Sequence, residues 1–140
     1  MEREGKLWTR MREGLCSVCR PHLSRIESHA TSVGFPDVEG CIEGTEFWVE
    51  LKSWDPKKGW HIRPSQIAWM RARLNAGGKR IFVFADKKVS ATHHHVLVPV
   101  TAGFLIDYGR FPSWDALTKN AIYWAQGPVD YNHVKELLCR

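Results

Sequence analysis

The chain has 140 residues, 44% of them apolar and seven of them Trp, with 20 Lys and Arg against 15 Asp and Glu. That is too apolar for intrinsic disorder, and no apolar run approaches the ~20 residues of a membrane span, so one globular domain over residues 1–140 with no membrane partner is expected. The net charge of +5 is segregated: residues 26–51 carry −6 without a single Lys or Arg, and residues 52–80 carry +7.

The first 30 residues are charged throughout and lack an apolar signal core, which leads to the expectation of a cytoplasmic protein. Leu7, Trp8, Met11 and Leu15 recur at helical intervals and predict an amphipathic helix over residues 4–13 that ends near Gly14. Residues 16–22 hold Cys16-x-x-Cys19 and Pro21 and read as a loop. An extended segment from Leu23 to Ser28 and a turn at 32–34 lead into Phe35-Pro36-Asp37-Val38, where Pro36 favours an edge strand or a strand start. Gly40 and Gly44 bracket a hairpin connection. Residues 45–53 alternate strictly, with Phe47, Val49 and Leu51 on one face and Glu46, Trp48, Glu50 and Lys52 on the other. Pro64 opens a helix that runs to Leu74 and stops at Gly77-Gly78. Arg80 to Ala85 reads as a buried strand, His95 to Val100 and Phe104 to Tyr108 as further strands, and residues 113–117 and 130–138 as short helices. This order predicts an α/β (α+β) domain: a mixed sheet flanked by helices, with a core over about 4–85 and a C-terminal extension over 86–140.

Glu50 and Lys52 project from one strand face about 6.8 Å apart along the chain. A hairpin between residues 38 and 45 brings Asp37 beside Glu50, so that both carboxylates can converge on one divalent cation. Two carboxylates and the Leu51 carbonyl make the partial oxygen shell that Mg²⁺ takes from proteins, and Mn²⁺ is expected to substitute. Lys52 can then orient water, contact a scissile phosphate or stabilise developing charge.

Pro36-Asp37 followed by Glu50-Leu51-Lys52 resembles the PD-(D/E)xK nuclease signature. With the surrounding GFPD, EFWVELKSW, RPSQIAW and NAGGKRIFVF, residues 4–85 are similar to the small VRR-NUC nucleases of phage and repair systems and to Holliday-junction resolvases. The resemblance implies a restriction-endonuclease-like core and a Mg²⁺-dependent endodeoxyribonuclease acting on branched or structured DNA. It also implies Asp37 and Glu50 as metal ligands and Lys52 as the catalytic lysine. Gln66 matches a polar residue on the following helix that contacts substrate or positions the lysine, against the plain alternative of a helix-surface Gln. A further acid is expected from Glu4, Glu13 or Glu27, of which Glu27 lies nearest the motif in sequence.

The basic stretch supplies Lys57, Lys58, Arg63, Arg71 and Arg73 for phosphates, and Trp60 in its loop is a candidate for stacking on bases. A homodimer would fit symmetric cutting of a junction. Two other classes compete: a non-catalytic DNA-binding protein that keeps the nuclease fold, and a zinc-binding adaptor built on Cys16, Cys19 and His22. The four Cys read more simply as free thiols, and His93-His94-His95 as a solvated run.

Overall fold

The strictly alternating segment is the strand β3 (Thr45–Ser53), whose apolar residues Phe47, Val49 and Leu51 are all buried on one side of a sheet. The computed structural model describes residues 2–26, 33–54, 57, 59–108 and 112–140. Around β3 the chain runs α1 (Glu2–Val18), β1 (His22–Arg25), β2 (Val38–Ile42), then α2 (Pro64–Asn75), β4 (Ile81–Val89), β5 (Thr92–Pro99), α3 (Ala102–Tyr108), α4 (Trp114–Asn120), β6 (Tyr123–Gln126) and α5 (Tyr131–Cys139). The six strands of the described residues stand side by side in chain order. β3 and β4 pair in parallel through the α2 crossover, and every other pair is antiparallel.

Each face of this mixed sheet has its own core. On one side α1 and α5 pack Leu7, Met11, Leu15 and Leu138 over Phe47, Leu51 and Phe84. On the other, α2, α3 and α4 cover Val83, Ala85 and Val98 with Ile67, Met70, Phe104 and Leu117. Removing this apolar surface from water, at roughly 25 cal/mol per Å², is what holds the layers together. No helix among the described residues is long and apolar enough to cross a membrane.

Several elements depart from the sequence reading. α1 continues through Gly14 to Val18, so Cys16 lies on a helix. Gly14 serves packing here: a Cβ would sit 2.3 Å from the Tyr131 ring of α5. The predicted strand at Phe104–Tyr108 is helix α3. The Thr101 hydroxyl accepts the Phe104 N–H at 3.1 Å, as a helix cap does, and burial is one-sided, with Phe104 and Leu105 inside and Ile106 74% exposed. The extended segment after Leu23 is β1, which ends at Arg25, and Glu27 lies outside the described residues. Beyond residue 85, β4 runs on to Val89 and β5 and β6 widen the same sheet.

Candidate active site

Asp37 and Glu50 meet because β2 and β3 form a hairpin closed at Glu43-Gly44, with Val38 opposite Val49. The segment that carries Asp37 is fixed from outside the hairpin. Gly34 has φ +87°, and a Cβ there would lie 2.1 Å from the Ser65 carbonyl oxygen, so only glycine lets this backbone rest on the first turn of α2. Phe35 packs its ring against Trp48 of β3 at 6.0 Å and Trp69 of α2 at 5.6 Å, and Pro36 is buried. The Asp37 carbonyl accepts the Ile26 N–H at 2.6 Å, which ties it to the end of β1.

Within this frame the two carboxyl groups interlock. Asp37 Oδ2 accepts the Leu51 N–H at 2.9 Å, and the Asp37 N–H donates to Glu50 Oε1 at 3.2 Å. Since the N–H and C=O of one strand residue point the same way, the Leu51 carbonyl also faces the Asp37 side. Glu50 is fully buried. Among the described residues its Oε2 has no aligned hydrogen-bond partner, and it stands 3.0 Å from Lys52 Nζ, on a side chain only 13% exposed. Burial pushes the Glu50 carboxyl up to about 8, opposed by the attraction of Lys52 and aided by the nearness of Asp37. A buried carboxyl oxygen without a full set of donors, beside a second carboxylate and a carbonyl, is a donor set suited to a hard divalent cation.

Gln66 corrects the surface alternative. It is 1% exposed and sits at the third position of α2, where its Oε1 accepts the Arg63 N–H at 3.1 Å and so caps the helix after Pro64. Trp60 corrects the stacking expectation. It is 3% exposed and packed between Trp54 at 5.1 Å and Trp114 at 5.7 Å, as a core residue. Arg73 lies over the rings of Trp48 and Trp69, at 5.4 and 4.6 Å, and Arg71 and Lys57 are exposed. Lys58 is outside the described residues. Of the candidate further acids, Glu13 is exposed on α1, across the sheet from Glu50. Glu4 is on α1 as well, with its side chain outside the described ones.

Sequence reasoning missed Gly34 and Phe35, although a Gly-Phe pair just before Pro-Asp is the signal of a backbone that must approach another element. It also missed Asp86 within β4, where Arg10 Nη2 (2.5 Å) and the Ser53 hydroxyl (2.6 Å) donate to the carboxylate. Among the described residues, no group of three or more His, Cys, Asp or Glu side chains is arranged to hold a metal ion, the Cys16, Cys19 and His22 set included.

No protein-family model matches the chain, and the curated proteins yield no match. Among solved structures the chain is similar to Hjc, a Holliday junction resolvase from the archaeal hyperthermophile Archaeoglobus fulgidus. The TM-score is 0.56 with 10% identity, over 86% of this chain and 92% of that one. That likeness, with the mixed six-stranded sheet between helices, places the chain in the restriction-endonuclease-like fold.

Proposed function

We propose that this chain is a Mg²⁺-dependent endodeoxyribonuclease that hydrolyses phosphodiester bonds in branched or structured DNA. The observation that carries this reading is the mutual hydrogen bonding of Asp37, Glu50 and the Leu51 backbone next to Lys52, at the C-terminal end of the β3–β4 parallel pair. Asp37, Glu50 and the Leu51 carbonyl would hold the cation, and Mn²⁺ would serve in its place. Bound there, the cation supplies Lewis-acid polarisation of the scissile phosphate. Lys52, whose ammonium stands 3.0 Å from Glu50, would present that charge to the scissile phosphate or to the attacking water. Gln66 acts as a positioning residue, holding the start of α2 against which Gly34 seats the Asp37 segment. Arg63, Arg71 and Arg73, with Lys57 and Lys58, would meet the DNA backbone. A second copy of the chain would be needed to cut two strands of a junction symmetrically.

The test is incubation of supercoiled plasmid, linear duplex, single strand and a four-way junction with Mg²⁺, Mn²⁺ or EDTA. Cleavage with either metal and none in EDTA is expected, fastest on the junction. DNA binding without any cleavage would instead support a non-catalytic protein on the nuclease fold, and cleavage in EDTA would contradict the cation site.

A further inference from the structure

Lys52 shares its face of the sheet with a second lysine. β3 and β4 run in parallel with Lys52 abreast of Ala85, and the Trp54 N–H donates to the Asp86 carbonyl at 2.9 Å, which carries the pairing past the end of β3. Lys87 lies two residues beyond Ala85. It therefore stands on the α2 face with Glu50 and Lys52, one strand over and roughly 6.6 Å further along. The order along this face is Glu50, then Lys52, then Trp54 with Lys87 beside it.

The Lys87 ammonium is held by rings instead of an acid. Its Nζ is 4.9 Å from the centre of the Trp54 ring and 6.0 Å from that of Trp114. The buried Trp60 packs against both, at 5.1 and 5.7 Å, and joins them into one platform. The loop after β3 also closes on this platform: at Gly59, with φ +69°, a Cβ would lie 3.2 Å from the Trp54 ring. Other lysines sit on carboxylates, Lys52 on Glu50, Lys119 on Asp115 and Lys135 on Glu43. Among the described residues no carboxylate is ion-paired with Lys87. An ammonium set on aromatic faces is fixed in place yet keeps its charge for an outside anion, whereas one set on a carboxylate is neutralised.

We propose that Lys87 grips the phosphate next to the scissile one, with Trp54 and Trp114 holding its ammonium in position. This rests on the nuclease reading. Two strand residues advance the face by about the separation of neighbouring phosphates in a nucleic-acid strand. A strand with its scissile phosphate at Lys52 would thus bring its next phosphate towards Lys87. Lys87 would touch the substrate but not the reacting atoms, so it would bind ground state and transition state alike and act on KM instead of kcat. Lys88 is the natural comparison, with the same charge one residue on, exposed, and on the opposite face of the sheet.

The full chain is compared with Lys87→Met, Lys87→Arg and Lys88→Met, since Met keeps an apolar stem against the rings and removes the charge. Binding of a four-way junction is measured in EDTA over a salt series, and steady-state cleavage in Mg²⁺. Lys87→Met should weaken binding and raise KM about tenfold, lower the dependence of log K on log salt by about 1, and leave kcat within about twofold. Lys87→Arg should restore binding and KM to within about threefold of wild type, and Lys88→Met should change either by less than about twofold. A junction with one neutral methylphosphonate next to the mapped cut, placed on each side in turn, locates the contact. On one side it should cost wild type about tenfold in kcat/KM and cost Lys87→Met nothing further. Affinity, salt dependence and KM of Lys87→Met equal to wild type, or equal losses in Lys87→Met and Lys88→Met, would overturn the proposal even if DNA is cleaved normally. Loss of binding confined to Lys87→Met in a chain that cuts no DNA would keep the Lys87 contact and remove the nuclease reading. A wild-type chain that binds no DNA would overturn both.

Discussion

Two neighbouring parallel strands carry the same triplet in their C-terminal halves, an acid, any residue and a lysine: Glu50-Leu51-Lys52 on β3 and Asp86-Lys87-Lys88 on β4. Their surroundings make them opposites. Glu50 and Lys52 face α2, and among the described residues one Glu50 oxygen has no donor but the neighbouring ammonium. Asp86 faces α1 and is saturated by Arg10 and Ser53, so it clamps α1, β3 and β4 together. An acid whose donors are already in place acts as a strut, whereas one left short of donors beside a second carboxylate can take a cation. The triplet does not distinguish them, but the Asp37 contact does.

The largest expected effect separates the two at the level of rate. Lys52→Ala should lower junction cleavage by about 10²–10³-fold or more while thermal unfolding changes little, because in the proposed reaction the ammonium would act on charge that develops in the transition state. Asp86→Asn should do the reverse. It should cost about 1–3 kcal/mol of stability, read from urea or thermal melts, because Arg10 loses its partner.

Gly34→Ala comes next. A Cβ 2.1 Å from the Ser65 oxygen at a positive φ forces the Asp37 segment off α2. Stability should fall by about 1–3 kcal/mol, and cleavage should fall with it even well below the melting temperature. Wild-type cleavage by this variant would show that the seating of Asp37 is unimportant.

The two faces should also respond to pH with opposite sign. His95 is held neutral with a lowered pKa. Its share of stability is therefore present above about 6.5 and lost as pH falls towards about 4. Glu50 has a raised pKa, so in metal-free protein its share is present below about 4.5 and lost as pH rises through about 8. Each amounts to something on the order of 3–5 kcal/mol over its window. Melts across pH 4–9 should show His95→Phe flattening the acid side and Glu50→Gln flattening the alkaline side.

The smallest effect lies on the exposed basic surface. Arg71→Ala should weaken DNA binding modestly and reduce the dependence of log K on log salt by about 1, as the loss of one phosphate contact does.

Legibility in the sequence followed the physics of each element. β3 was readable to its ends, since strict alternation leaves no other face assignment, and with it the placement of Glu50 and Lys52. Pro64 marked the start of α2 for the same local reason. What failed depended on contacts distant in sequence. Gly14 looks like a helix stop until Tyr131 is seen packed against it, and Phe104-Leu105-Ile106 is too short an apolar run to separate strand from helix without the Thr101 cap. Trp60, set among cations in sequence, is buried by Trp114, more than fifty residues away. The saturation of Asp86 by Arg10 spans 76 residues and has no local signature.

The central claim is that Glu50, and not Asp86, serves the chemistry. It is tested most directly by the initial rate of four-way-junction cleavage in Mg²⁺ for Glu50→Gln and Asp86→Asn, side by side and below both melting temperatures. The expected result is loss of cleavage in Glu50→Gln and a rate within about tenfold of wild type in Asp86→Asn. Wild-type cleavage by Glu50→Gln, or loss confined to Asp86→Asn, would contradict it.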